Sequence, residues 1–98
     1  MFIVVFGREN CRYCSKAKTL LNEKLLGFSY LDVSADEKFF LQMNSWVQEA
    51  TGAPARTVPQ IFIDGGYIGG YDDLVEHFKQ QEERQMEEIN PSDYFGEL

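Results

Sequence analysis

Two cysteines, three positions apart, are the residues of this sequence best suited to chemistry, and they stand in the segment Cys11-Arg12-Tyr13-Cys14. Thiols at this spacing can form and break a disulfide at little cost to the rest of the fold. The surrounding sequence adds four basic side chains, namely Arg8, Arg12, Lys16 and Lys18. Because cationic neighbours favour the thiolate, which is the reactive form of cysteine, the pattern favours redox chemistry.

Three other roles remain open for this pair. A structural disulfide would close a loop of only four residues, which removes little entropy from the unfolded chain. A structural zinc site needs four ligands, usually with a second Cys or His pair, and this chain adds only His77. Two buried, unreactive thiols are the third alternative, and the surrounding positive charge argues against them.

Length and composition predict one compact domain. A chain of 98 residues with 44% hydrophobic and 14% aromatic residues can build one core of ordinary size and leaves no room for a second domain. The apolar run Met1 to Gly7 lacks a basic leader and is shorter than a signal-peptide core or a membrane span. We therefore expect a soluble, cytoplasmic monomer that does not bind membranes.

The charge distribution separates the cysteine end from the rest of the chain. A net charge of -7 argues against nucleic acid as a partner, because phosphate binding depends largely on Lys and Arg. Residues 1–24 carry five basic and two acidic side chains, a net charge of +3, which leaves -10 for residues 25–98. A local positive field favours the thiolate and attracts small anionic substrates.

The first elements position the cysteines. The β-branched and aromatic run Phe2 to Phe6 predicts a strand buried on both faces and ending before Gly7. Apolar residues at helical spacing then predict a helix from about Arg12 to Lys24. Cys11 would lie at its N-terminus, where free backbone N–H groups and the helix dipole stabilise a thiolate. We expect Cys14, one turn further on, to be less exposed and less acidic.

A second strand and helix follow. Residues 28–33 predict a strand, and the helix between the two strands makes a right-handed crossover that places them parallel. Ser34 and Glu37 match a capping box with Ser34 as N-cap. The helix that follows should end near Gly52.

The remaining chain predicts a hairpin and a third helix. Residues 60–64 and 67–70 read as antiparallel strands joined by a tight turn at Gly65-Gly66. A helix should open at Tyr71, with Leu74, Val75 and Phe78 facing inward. The composition becomes polar after Lys79, so we expect a domain over residues 1–81 and an acidic C-terminal extension over residues 82–98.

Three motifs in this order resemble the glutaredoxin family, over about residues 2–79: Cys11 to Cys14, Thr57-Val58-Pro59 and Gly69-Gly70-Tyr71-Asp72. The sequence is most similar to the bacterial dithiol branch of that family. The resemblance implies an α/β architecture with the thioredoxin-like fold, a four-stranded mixed sheet flanked by three helices. The Trp-Cys-Gly-Pro-Cys signature of thioredoxins is absent from this sequence.

The resemblance also implies a reaction. Cys11 would attack a protein disulfide or a glutathionylated cysteine, and Cys14 would resolve the mixed disulfide that forms. Two glutathione molecules would then restore the dithiol, so glutathione is the implied reductant. Ribonucleotide reductase is one protein substrate that the resemblance suggests.

A glutathione site is implied at Arg8, Tyr13, Thr57, Val58, Pro59, Asp72 and Asp73. In the family, the residue at Arg8 could hold a glutathione carboxylate and the ring at Tyr13 walls the site. The valine of Thr57-Val58-Pro59 exchanges backbone hydrogen bonds with glutathione, and the proline is cis. At Asp72 and Asp73, helix amides and an aspartate receive the γ-glutamyl end.

One departure from the family pattern is Arg12, which stands where proline is usual. The change adds a cation and a backbone N–H next to Cys11, and we expect it to favour the thiolate. Some relatives without this proline hold a [2Fe-2S] cluster between two protomers and two glutathiones, through the first cysteine. An iron–sulfur carrier is therefore the alternative to the redox enzyme, although no site for a metal bound by this chain alone is expected.

Overall fold

The computed structural model describes residues 1–88, with the side chains of residues 1–83. Over this range the chain forms seven elements: β1 (Ile3–Gly7), α1 (Arg12–Glu23), β2 (Ser29–Asp32), α2 (Glu37–Thr51), β3 (Gln60–Ile63), β4 (Gly66–Gly69) and α3 (Tyr71–Glu88). The strands form one sheet in the order β2-β1-β3-β4. β1 is parallel to β2 and antiparallel to β3, which confirms the mixed sheet and the parallel crossover.

Strand β1 lies inside the sheet, between β2 and β3, and both of its faces are covered. Its side chains alternate between the two faces, as in any strand. On one face, β1 and β3 pack against α1 and α3 through Ile3, Val5, Ala17, Leu21, Ile61, Ile63, Leu74 and Phe78. On the other face they pack against α2 through Val4, Phe6, Met43, Val47 and Phe62. The first of these cores holds α1 against the sheet through Ala17 and Leu21.

The start of α2 corrects one expectation from the sequence. The N-cap is Asp36, whose carboxylate accepts a hydrogen bond from the backbone N–H of Lys38, so the capping box at Ser34 was wrong. Ser34 instead donates its backbone N–H and its hydroxyl to Asp32 Oδ1, at 2.8 and 2.6 Å. Asp32 therefore closes a turn at the end of β2, and the helix starts after it. The helix ends at Gly52 as expected, in the left-handed region with φ 86°.

The hairpin turn is also shifted by one residue from its predicted place. The two turn residues are Asp64 and Gly65, with φ of 51° and 83°, and Gly66 already pairs with Ile63 as the first residue of β4. Positive φ at both turn positions is the geometry that favours Asp-Gly in a two-residue hairpin. Asp64 is fixed further because its Oδ1 accepts the backbone N–H of Phe2 at 2.7 Å.

Helix α3 begins at Tyr71 as expected and continues through position 82, so the predicted boundary between domain and extension falls inside a helix. The division into residues 1–81 and 82–98 stays a prediction, and residues 89–98 lie outside the described part. Leu74 and Phe78 are buried, whereas Val75 is 39% exposed, so its predicted inward position was wrong. Within residues 1–88 no helix is both long enough and apolar enough to cross a bilayer.

Candidate active site

Cys11 is the N-cap of α1, as the sequence predicted. Its backbone is extended, and its Sγ accepts a hydrogen bond from the backbone N–H of Cys14 at 3.3 Å. The same sulfur lies 3.8 Å from the carbonyl oxygen of Val58, across the site. A backbone N–H aimed at Sγ and the positive end of the helix dipole both stabilise negative charge at this atom. The arrangement can therefore present a nucleophilic sulfur to a ligand lying along Val58.

Cys14 is a free thiol like Cys11, but only 1% of its surface is exposed. Burial raises the pKa of the Cys14 thiol above its usual range, and hydrogen bonding to Cys11 raises it further. Cys14 therefore rests as a neutral thiol beneath the nucleophile. The burial confirms the expectation that Cys14 is the less exposed cysteine of the pair.

Tyr30, on β2, lies beside this pair and was not identified from the sequence. Its hydroxyl donates a 3.0 Å hydrogen bond to the backbone carbonyl of Arg8, which fixes the segment leading into Cys11. Burial raises the pKa of Tyr30, and the neighbouring Cys14 raises it further. The tyrosine ring occupies the space that a side chain at Gly7 would need. In the sequence, nothing distinguishes Tyr30 from any other residue of a predicted strand.

A cleft of about 260 Å³ brings together six of the seven residues predicted to bind a ligand, and it is called here the Tyr13–Asp73 cleft. Those six are Tyr13, Thr57, Val58, Pro59, Asp72 and Asp73. The Val58–Pro59 peptide bond is cis, as expected. Gly70 and Tyr71 complete the lining, so the first turn of α3 forms the far wall. Widely separated motifs of the sequence thus converge on one groove.

Arg8, the seventh predicted residue, lies in a different cleft, on the other side of Thr57 and Val58. This arginine cleft has a volume of about 300 Å³, and Arg8, Arg56, Thr57 and Val58 line it above an apolar floor. Arg56 was missed by the sequence analysis. The sequence offered one signal for it, namely its position directly before Thr57. Its guanidinium group is the second cation of the cleft, beside that of Arg8.

The carboxylate of Asp73 already has a hydrogen-bond partner in the loop before α3. Its Oδ2 accepts the backbone N–H of Gly70 at 3.0 Å. The Asp73 side chain also fills the space where a Cβ at Gly69 would lie, and Gly69 has a φ of 116°. Asp72 is exposed at the first turn of α3, as Asp73 is, but among the described residues its carboxylate accepts no such hydrogen bond. Asp72 is therefore the carboxylate of this pair with the greater freedom to meet a ligand.

A buried amide supports the segment shared by the two clefts. Gln60 is 5% exposed, and its Nε2 donates to the carbonyl oxygen of Thr57 at 2.9 Å. Its Oε1 accepts the hydroxyl of Tyr67 at 2.7 Å. A buried amide that is bonded at both ends holds its neighbours in place, since either half left unpaired would be costly. Gln60 thus links β4 to the Thr57 backbone.

Among the residues with described side chains, no group of three or more His, Cys, Asp or Glu residues is arranged to hold a metal ion. The chemistry that the described residues support is that of the two thiols and the two clefts beside them.

Comparison with known proteins matches these features to one family. The model of the family described as glutaredoxin matches residues 3–68. A glutaredoxin of Haemophilus influenzae is 40% identical over 87 residues, which cover 83% of this chain and 94% of the relative. Glutaredoxin 1 of Escherichia coli K12 is 38% identical over 86 residues, with 82% and 95% covered. The crystal structure of a buckwheat glutaredoxin–glutathione complex aligns with a TM-score of 0.67 at 29% identity, covering 81% of this chain and 69% of that one.

Proposed function

Because this chain belongs to the glutaredoxin family and is a thiol–disulfide oxidoreductase of the thioredoxin-like fold, we propose that its exchange reactions depend on glutathione. The observation that carries the proposal is the position of Cys11 Sγ, 3.8 Å from the carbonyl oxygen of Val58, because Thr57 and Val58 line both clefts and form the ridge between them. A tripeptide whose central cysteine reacts at Cys11 needs room on both sides of that sulfur. Thr57 and Val58, which line both clefts, provide the backbone between the two spaces.

The tripeptide would lie across this ridge with its two ends in different surroundings. Its γ-glutamyl end enters the Tyr13–Asp73 cleft, where the α3 N-terminus attracts a carboxylate and Asp72 is available for the ammonium group. Its glycine carboxylate points into the arginine cleft, towards Arg8 and Arg56. Arg56 thus joins the predicted set, and the separate location of Arg8 is consistent with a ligand that carries an anionic group at each end.

The first chemical step is attack by the thiolate of Cys11 on a disulfide sulfur of the substrate. A bond from Sγ to that sulfur forms as the substrate S–S bond breaks, and the departing thiolate takes a proton from solvent. The Cys14 backbone N–H, 3.3 Å from Sγ, stabilises the thiolate before attack. When the substrate is a glutathionylated protein, Cys11 retains the glutathione and the protein leaves as a thiol.

The second step differs between the two substrate classes. With a glutathionylated substrate, a second glutathione thiolate attacks the bound glutathione sulfur, so that glutathione disulfide leaves and Cys11 returns as a thiolate. With a protein disulfide, Cys14 loses its proton and attacks Cys11 Sγ, which releases the reduced protein and leaves a Cys11–Cys14 disulfide. Two glutathione molecules then reduce that disulfide and leave as glutathione disulfide. In both cases the substrate gains the two electrons that glutathione loses.

The identity of the protein substrate stays a prediction from the family resemblance, ribonucleotide reductase included. The iron–sulfur alternative requires a second copy of the chain and glutathione as an external ligand, and nothing among residues 1–88 favours it over disulfide exchange. A cytoplasmic location and a monomeric state likewise stay predictions.

The test is a glutathione-coupled assay on the mixed disulfide of glutathione and 2-mercaptoethanol, run beside an assay on a protein disulfide. We expect Cys11→Ser to abolish both activities. Cys14→Ser should keep the first and lose the second, because only the second needs an internal attacking thiol. A wild-type protein that reduces neither substrate with glutathione, but reduces the protein disulfide with another thiol donor, would overturn glutathione dependence.

A further inference from the structure

A third cleft, of about 400 Å³, lies along the exposed face of α1 and is called here the Lys16 cleft. Arg12 and Lys16 line it, together with Thr19, Leu20 and Tyr71. Arg12 is the first residue of α1, so one end of the cleft lies at the helix N-terminus that Cys11 caps. Neither the tripeptide site nor the exchange steps described above use it.

An aromatic wall separates the Lys16 cleft from the Tyr13–Asp73 cleft. The rings of Tyr13 and Tyr71 have centroids 6.2 Å apart, and Tyr71 lines both spaces. The ammonium group of Lys16 lies 5.3 Å from the Tyr13 centroid and 5.8 Å from that of Tyr71. Cation–π contacts of this kind hold the Lys16 charge at the wall. Tyr13 remains 50% exposed, which leaves apolar ring surface at the mouth of the cleft.

The charge of this surface is opposite to that of the whole chain. Arg12 and Lys16 are exposed, and among the described side chains the only salt bridge joins Lys24 to Glu82 elsewhere on the molecule. Glu23 also lines the cleft, but at the C-terminal end of α1, so the two cations are concentrated at the end nearest Cys11. The whole chain carries a net charge of -7, so the cations Arg12 and Lys16 make this cleft a place where an anionic partner is attracted.

We propose that the Lys16 cleft docks the protein substrate through a segment that carries carboxylates and an apolar side chain beside the reactive cysteine. The carboxylates would pair with Arg12 and Lys16, and the apolar side chain would pack on Leu20 and the exposed ring surface. The proposed tripeptide occupies the two clefts on either side of Thr57 and Val58. The substrate chain would therefore approach Cys11 along α1, through the Lys16 cleft. This docking role rests on the proposed glutathione-coupled exchange. It predicts that the preferred protein substrates carry acidic and apolar residues beside the reactive cysteine.

The test uses three peptides that carry one glutathionylated cysteine and differ only in their flanks, which are acidic with a leucine, neutral with a leucine, or basic with a leucine. We expect the wild-type protein to reduce the acidic peptide with the highest kcat/KM. Lys16→Glu should lower that value about five- to tenfold while changing the neutral peptide less than about twofold, because exposed charge pairs contribute modestly and act largely on association. The preference should shrink as salt is added.

Lys79→Glu is the matched control, since it makes the same charge change at an exposed position of α3 that lines none of these clefts. It should leave the ranking of the peptides unchanged. Equal rates on all three peptides in the wild-type protein, or an equal loss on all three in Lys16→Glu, would overturn the docking role. The mixed disulfide of glutathione and 2-mercaptoethanol has no peptide flank, so failure to reduce it would instead count against the proposed function.

Discussion

The hydroxyl of Tyr67 and the side-chain amide of Gln60 meet in a 2.7 Å hydrogen bond, seven residues apart in sequence, at the back of the segment that carries Thr57 and Val58. The bond joins the outer strand of the sheet to the ridge on which glutathione is proposed to lie. Removing a partner from a buried amide leaves an oxygen unpaired, which is more costly than the bond itself is worth. The position of Thr57 therefore depends on a residue that touches no cleft described above.

Tyr67→Phe should weaken both the fold and the site. We expect a loss of about 1–3 kcal/mol in the free energy of unfolding, because Gln60 Oε1 loses its partner. KM for the glutathione mixed disulfide should rise while kcat changes little, since the variant loosens Thr57 and leaves both thiols in place. Urea denaturation and steady-state kinetics measure the two effects. Unchanged stability together with unchanged KM would show that the bond does not hold the ridge.

Gly7→Ala should destabilise the protein because the new methyl group would fall on the Tyr30 ring, 2.7 Å from Cζ and 2.9 Å from Cε2. Both residues lie in paired strands, so relief requires the ring or the backbone to move. The expected loss is about 1–3 kcal/mol in the free energy of unfolding. Gly27→Ala is the control, since a Cβ there meets no atom within 4 Å, and it should change stability by less than about 0.5 kcal/mol. Equal effects of the two variants would contradict the close packing at Gly7.

The reduced protein should lose stability in alkali. The pKa values of the Cys14 thiol and the Tyr30 phenol are raised by folding above their ordinary values of 9.0 and 10.0. For groups raised in this way, the stabilisation is complete below the ordinary pKa and is lost as pH rises towards the folded value. The free energy of unfolding should therefore fall from about pH 9 upwards, measured by urea denaturation under anaerobic conditions with a phosphine reductant.

The double variant Cys14→Ala with Tyr30→Phe removes these two groups and should make the decline shallower, while Tyr67, whose pKa burial also raises, keeps part of it. Cys14→Ala alone should flatten only its lower part, since the phenol ionises at higher pH. A wild-type profile that stays flat up to pH 10.5, or a double variant as steep as the wild type, would contradict the raised pKa values.

Arg56→Ala and Arg8→Ala should each weaken glutathione use. If the glycine carboxylate lies between these guanidinium groups, removing one should raise KM for glutathione about two- to fivefold, since partly exposed ion pairs contribute up to about 1 kcal/mol. Turnover at saturating glutathione should change little, because neither side chain touches the reacting sulfurs. Lys79→Ala serves as the charge-matched control. An effect of Arg8→Ala without any effect of Arg56→Ala would remove Arg56 from the site.

Those parts of the structure that depend on local pattern were predictable. The apolar run of β1, the spacing of apolar residues in α1 and the position of Cys11 before that helix are properties of neighbouring residues. The shifts at Asp36 and Asp64 arose where nearby residues offered alternatives, Ser34 or Asp36 as the helix cap and Gly65-Gly66 or Asp64-Gly65 as the hairpin turn. At both places a contact from another segment or turn decided between them, through Asp32 at one and Phe2 at the other.

The residues that the sequence analysis missed act through contacts between distant segments. Tyr30 meets the carbonyl of Arg8, which is 22 positions away, and nothing in the alternation of a strand distinguishes it from its neighbours. Arg56 enters the proposed site only because the fold places it in the same cleft as Arg8. Val75 is partly exposed because the buried face of α3 is narrower than the distribution of its apolar residues suggests, and it includes Leu74 and Phe78 only.

In the proposed glutathione-dependent reaction, the depth of Cys14 creates a kinetic branch point. Once Cys11 holds a mixed disulfide, an external thiolate can reach it directly, whereas Cys14 must first lose its proton and leave a site where it is 1% exposed. Abundant glutathione would then intercept the intermediate before the internal attack, and scarce glutathione would leave time for it. The burial of one side chain thereby makes the flux through each route a measure of the thiol supply around the enzyme.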